Sequence, residues 1–283
     1  MRIVPPPGRI VGGEIRLEDE NILEKDEDEM RKIRWKRISI IFQGAMNALN
    51  PVFRVGDQIK EAILLHENVS EREAENRVKR LFREVGLDPQ RINDYPHELS
   101  GGMRQRVMIA MALACSPDIV IADEPTTALD TTIQAQILEL LRELRAKLRN
   151  STILITHDLS IIAETCDKIA IMYAGKIVEL GDVVSVFTNP LHPYTKGLIE
   201  AIPSIEKSRS KVLFAIPGSP PNLFDPPSGC RFHPRCPRAD EKCIKEEPML
   251  IEATQGRYVA CHYANEMRDL DALTLWNNWR NNL

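Results

Sequence analysis

Four stretches of this chain carry residue types spaced for chemistry. LSGGMRQRV, Leu99 to Val107, sets Ser100, Gly101 and Gly102 at the start of an apolar helix. Two glycines at a helix start leave backbone N–H groups bare, and with the helix dipole those groups hold phosphate. DIVIADEP, Asp118 to Pro125, ends four apolar residues on Asp123 and Glu124. An aspartate there can anchor Mg2+, and the adjacent glutamate can polarise an attacking water as general base. Gln43 follows the apolar run ISIIF, Ile38 to Phe42, and can orient water at a γ-phosphate. His157 follows ILIT and can hydrogen-bond that phosphate as it leaves. Each has a plain structural reading alone: a helix N-cap, a strand-end acid, a satisfied histidine. Together and in this order they point to ATP hydrolysis. The usual companion, Gly-x-x-x-x-Gly-Lys-Ser/Thr, does not occur in the sequence. Its one Gly-Lys pair, Gly175-Lys176, is followed by Ile177, with Ala170 in place of the first glycine.

Beyond those four lies a further such stretch, Cys230-x5-Cys236-x6-Cys243-x17-Cys261. Four thiols in a loop-rich segment gain order from a metal centre. Their gaps exceed the close pairs that a tetrahedral Zn2+ site prefers. Four thiolates are also an iron–sulfur ligand set, and four unlinked cysteines are the bland reading. Cys115 and Cys166 stand among apolar residues and are expected to be small core side chains.

The elements that must position these residues read as strand–helix alternation, which means an α/β sheet. Strands are expected at Gly13 to Leu17 and Ile38 to Phe42. Ile119 to Ala122 and Ser151 to Thr156 read as buried strands, and Ile169 to Tyr173 with Lys176 to Leu180 as a hairpin. Helices are expected at Asp57 to His66, from Ser70 to Gly86, at Gly101 to Cys115 and at Thr131 to Arg149. Ser70 and Glu73 would form a capping box. In the last helix Ile133, Ile137, Leu140, Leu141, Leu144 and Leu148 would face inward. Lys25 to Glu29 reads as a solvated charged surface. From Asn189 prolines recur, which suggests an extension with little regular structure.

Bulk properties narrow the class. The 283 residues are 43% hydrophobic with a net charge of −4, enough for a large core and without the basic surplus that nucleic acid would need. The longest apolar run, Val107 to Cys115, falls far short of the ~20 residues of a membrane span. Met1 to Gly13 is Pro/Gly-rich and lacks the apolar segment of a signal peptide. These features suggest a cytoplasmic protein.

The motifs also carry a family resemblance. LSGGMRQRV, IVIADEPTTALD and LITHDL resemble the signature motif, the Walker B strand with D-loop, and the switch histidine of ABC-type ATPases; ISIIFQ resembles the Q-loop strand. LNPVF, LHPYTKGLIEAIPS and IPGSPPNLFDPPSGCRFHPRCP resemble the ATP-binding subunits of oligopeptide and dipeptide importers. The resemblance implies an ABC-type P-loop ATPase fold over residues 1–188, a helical subdomain at 57–99, and a C-terminal extension at 189–283. PPPGRIVGGEI resembles the segment beyond the phosphate loop, so the fold is expected to be incomplete at its N-terminus, without Walker A. Gly44 departs from the acidic residue expected after Gln43.

What the resemblance implies for function is an ATPase that energises import of dipeptides and oligopeptides. Glu124, His157 and Gln43 would be catalytic. Ser100, Gly101, Gly102, Asp123 and Asp130 would contact ATP, with Asp123 holding Mg2+ through water. In such subunits two ATPases close head to tail, so Ser100 to Gly102 would face a nucleotide held by the partner. The partners implied are a second ABC ATPase in a heterodimer, two membrane permeases docked at Gln43 to Phe53 and the following helix, and an extracellular peptide-binding protein. The place implied is the cytoplasmic face of the cell membrane. Similar importer subunits carry a 4Fe-4S cluster on the stretch matching Cys230, Cys236, Cys243 and Cys261, with Zn2+ as the alternative. A non-hydrolysing scaffold that gives only its signature motif to the partner's ATP site is the rival reading.

Overall fold

The computed structural model describes residues 1–44, 48–148, 150–202, 214–268 and 270–280. The chain divides into two units, Met1–His157 and Asp158–Leu283. The first unit opens with a two-residue antiparallel ribbon, Arg16–Leu17 (β1) with Glu20–Asn21 (β2). The strand expected from Gly13 is thus only its last two residues. Asp26 to Glu29 are exposed, as expected of a solvated charged surface, but they open a helix that was not expected, Glu27–Ile33 (α1). Asp26 accepts from the Glu29 N–H while Glu29 accepts from the Asp26 N–H, closing both ends of a capping box. Met30 and Ile33 bury the inner face of this helix, against a small core with Leu17, Ile22 and Ile38.

The central sheet follows. Ile38–Ile41 (β3) is buried at all four positions. Val55–His66 (α2) buries Val55, Ile59 and Ile63; Glu71–Glu84 (α3) buries Ala74, Val78, Leu81 and Phe82. Each fully buried aliphatic or aromatic side chain contributes about 1.5–3 kcal/mol. The Ser70 cap on α3 is one-sided, its hydroxyl accepting from the Glu73 N–H at 3.2 Å, where a reciprocal box was expected. Two 3₁₀ turns, Pro89–Asn93 and Pro96–Glu98, lead into Gly101–Leu113 (α4). Then come Ile119–Asp123 (β4), Thr131–Leu148 (α5) and Ser151–Ile155 (β5). The expected end of α5 at Arg149 lies outside the described residues. Ile137, Leu140 and Leu144 point inward as expected, whereas Leu148 in the last turn is exposed.

The three strands pair in parallel in the order β3-β4-β5, Ile38 opposite Ile119 and Asp123 opposite Ile155. This register brings the three carboxyl ends level. Gln43, Asp123-Glu124 and His157 therefore leave the sheet at one edge, where parallel sheets bind ligands. Two burial expectations are corrected. In β4 only alternate residues are fully buried, and β5 is largely exposed, with Ile153 at 52%. Among the described residues β5 pairs with β4 alone, as β3 does, but unlike β3 it is left largely uncovered.

The second unit starts with Leu159–Thr165 (α6). The hairpin Lys168–Tyr173 (β6) with Lys176–Asp182 (β7) and the helices Val183–Thr188 (α7) and Pro193–Glu200 (α8) follow. Beyond Asn189 the chain is more ordered than its prolines suggest. It forms Glu241–Lys245 (α9), the hairpin Ile251–Thr254 (β8) with Arg257–Val259 (β9), and Ala272–Arg280 (α10). β9 pairs with β7, giving an antiparallel sheet in the order β6-β7-β9-β8. A buried ion pair locks it. Glu179 on β7 accepts from Arg257 on β9 at 2.7 Å and from the Leu191 and His192 N–H groups at 2.8 and 3.0 Å. Of the two cysteines expected in cores, Cys115 is buried and Cys166 only partly so.

Candidate functional site

Glu124 is the centre of the site in the first unit. Its N–H donates to the Ile155 carbonyl at 2.9 Å, which continues the β4–β5 ladder one residue past the strand end. Its backbone then turns left-handed, with φ at 44°. That conformation is unusual for a side-chain-bearing residue. The Thr127 N–H closes the turn on the Glu124 carbonyl at 3.1 Å.

The Glu124 carboxylate joins three elements. One oxygen, Oε2, accepts from Gln43 Nε2 at 2.8 Å and from the Thr127 hydroxyl at 2.8 Å. The other, Oε1, lies 3.1 Å from His157 Nδ1. The Thr127 hydroxyl first, then His157 and Gln43, hold this carboxyl below the usual carboxylate range against a smaller opposing effect of burial. Glu124 is therefore ionised at neutral pH, the form a general base needs. The His157 side chain is 80% exposed, which leaves it open to a ligand beside Glu124. Three of the expected catalytic residues thus meet at one carboxylate. Thr127 completes the group, and no reading of the sequence singled it out. Its signal was its place three residues after Glu124, which matters only once Glu124 turns left-handed.

Asp123 ends β4 beside this group, half-buried. Its placement suits water-mediated Mg2+ coordination, since a strand-end carboxylate adjoins the ionised Glu124. Asp130 caps α5, its carboxylate accepting from the Ile133 N–H at 2.9 Å. Ser100 caps α4, its hydroxyl accepting from the Met103 N–H at 3.3 Å. Thus Ser100 fills the ordinary capping role, and its group is apart from the hydrogen bonds that gather at Glu124. Gly102 is required by packing, because a Cβ there would stand 2.8 Å from Ile133 Cγ2 on α5. The first turn of α4 carries no acidic residue to offset the positive end of its dipole.

Beyond Gln43 the chain presents an apolar tip. Val52 is 71% and Phe53 55% exposed. Gln58 on α2 fixes this loop, accepting from the Asn50 N–H and donating to the Asn50 and Phe53 carbonyls at 3.0 Å each.

In the second unit Cys230, Cys236, Cys243 and Cys261 line one enclosed cavity of about 10 Å³. All four are free thiols, and burial pushes each upward, Cys261 to about 12. Backbone hydrogen bonds oppose that effect at all four; the Tyr263 N–H donates to Cys261 Sγ at 3.4 Å. The arrangement gathers the thiols but stops short of a ligand set. Among the described residues no three His, Cys, Asp or Glu side chains are placed to hold one metal ion. None of the described helices is long and apolar enough to cross a membrane.

Known proteins place this geometry. Residues 6–127 match the ABC transporter family, and residues 178–243 match the family described as oligopeptide/dipeptide transporter, C-terminal region. A probable peptide ABC transporter ATP-binding protein of Sinorhizobium fredii is 47% identical over 273 residues, 95% of this chain and 82% of that protein. The oligopeptide transport ATP-binding protein OppD of Escherichia coli K12 is 48% identical, covering 92% of this chain and 77% of its own length. Among solved structures, the dimeric ATP-binding cassette MJ0796 bound to ADP and Pi superposes with a TM-score of 0.55 at 28% identity, over 61% of this chain and 74% of that one.

Proposed function

We propose how this chain works from one premise: it belongs to the ATP-binding subunits of the oligopeptide and dipeptide ABC transporters. It has the ABC ATPase cassette fold and is an ATPase subunit that energises peptide import. The observation that carries the division of labour is the Glu124 carboxylate, held ionised by Thr127, His157 and Gln43. Glu124 takes the proton of the attacking water. Gln43 orients that water, and His157 donates to the γ-phosphate as it leaves. Asp123 holds Mg2+ through water, and Mg2+ supplies charge neutralisation at the phosphates. The Glu124 group acts at the γ-phosphate of the bound nucleotide.

Ser100, Gly101 and Gly102 serve a second nucleotide, bound by a partner ATPase in a heterodimer. Their support is the uncompensated N-terminus of α4. Asp130, whose carboxylate caps α5, would contact ATP. Val52, Phe53 and the exposed side of α2 dock on the permeases at the cytoplasmic face of the membrane, and an extracellular binding protein delivers the peptide. For the four cysteines the support is their chemistry alone: four thiols line one cavity with no carboxylate among its lining residues. Cys230, Cys236, Cys243 and Cys261 would hold a 4Fe-4S cluster.

The test is ATP-dependent uptake of a labelled tripeptide by liposomes containing the assembled transporter with this chain as its only copy of the subunit. Uptake that requires both ATP and this chain is expected. Equal uptake without the chain contradicts the reading.

A further inference from the structure

A second recess in the Asp158–Leu283 unit has no part in nucleotide chemistry. It is a groove of about 440 Å³, and four of its lining residues are prolines. Fixed φ angles make such walls rigid before any ligand arrives. Its volume suits a molecule of a few residues.

The charges along the groove are unbalanced in a specific way. Arg235 donates Nε to the Pro217 carbonyl at 2.8 Å, Nη2 to the Ile216 carbonyl at 3.1 Å and Nη1 to the Tyr173 hydroxyl at 3.3 Å. Arg231 donates to the Ala174 carbonyl at the β6–β7 turn. Every one of these acceptors is neutral. Among the described residues neither guanidinium makes a salt bridge, although both are half-buried. Arg235 also lies over the Tyr173 ring, 6.0 Å from its centroid, and half-buried cations whose partners are all neutral gain most from an anionic oxygen. Asp225 lines the same groove, exposed and in no ion pair with either arginine. One wall is therefore cationic, another point is anionic, and the two are not bonded to each other.

We propose that this groove binds a short zwitterionic peptide, its carboxylate toward Arg231 and Arg235 and its ammonium toward Asp225. Asn222, which also lines the groove, supplies an amide for the peptide backbone. The site is distinct from the ATP-hydrolysing group, and the choice of a peptide as its ligand rests on the peptide-import reading.

Trialanine, N-acetyl-trialanine and trialanine amide are titrated calorimetrically into the full chain without nucleotide. Saturable binding of trialanine is expected, weakened about tenfold or more when either end is blocked. Asp225→Asn is expected to erase the difference between free and acetylated peptide while keeping that between acid and amide. Arg231→Gln, which retains an amide donor for Ala174, is expected to do the reverse. A cooperative denaturant melt of each variant confirms its fold. The proposal is overturned by absence of saturable binding, by equal affinity of blocked and free peptides, or by inorganic phosphate displacing trialanine at equal concentration. Binding here by a chain that fails to energise uptake would sink the transport reading and leave this one standing.

Discussion

A carboxylate that accepts from a threonine, a glutamine and a histidine's neighbourhood has had its protonation settled by its partners. For Glu124 the Thr127 hydroxyl has the largest effect. Thr127→Val removes it, so the ionised form loses support and the pKa rises toward the ordinary glutamate value. The acid limb of the pH profile for ATP hydrolysis is expected to move to higher pH, with the alkaline limb unchanged. The sign follows from linkage: a depressed carboxyl retains its charged form as pH falls until its folded pKa is reached, and a less depressed one loses it earlier. The identities at this centre were legible in the sequence, because Gln43, Glu124 and His157 each follow an apolar run. The role of Thr127 was not, because it depends on the left-handed turn at Glu124, and DEPTT does not signal that turn.

At the scale of elements, close approach does the positioning. Gly102 lets α4 pack on Ile133 of α5. Gly102→Ala overpacks that contact and is expected to cost about 1–3 kcal/mol in equilibrium denaturation, with Ile133→Ala restoring part of it. In the antiparallel sheet, Glu179→Gln leaves Arg257 a buried charge without its partner. A loss of about 3–5 kcal/mol is expected by the same measurement. On α2, Leu65 is exposed on the element assigned to permease docking. Leu65→Glu together with Phe53→Asp is expected to lower peptide uptake per ATP hydrolysed while hydrolysis persists; an unchanged ratio contradicts the docking assignment.

These elements also show where sequence patterns fail. α1 escaped notice because its charges read as solvated surface, though Asp26 and Glu29 already spelled a capping box. Ile153 and Ile155 read as core because an apolar run does not reveal how far other elements cover its strand: β3 and β5 both end the three-strand order, and only β3 is buried. The prolines after Asn189 hid β8 and β9, whose order comes from pairing with a hairpin distant in sequence.

At the scale of the whole molecule, the Glu124 group lies in the Met1–His157 unit, and the thiols and the charged groove lie in the Asp158–Leu283 unit. Anaerobic purification is expected to yield brown protein absorbing near about 400 nm with iron bound, and Cys261→Ser to lose the colour; colourless zinc-loaded protein contradicts the cluster. The central claim is that Glu124 is the base of a peptide-importing ATPase. Its most direct test is the rate of ATP hydrolysis by the assembled transporter carrying Glu124→Gln, which keeps the size of the side chain and removes its charge. A fall of about a hundredfold or more is expected, with ATP still bound. Hydrolysis at the unsubstituted rate would contradict the account.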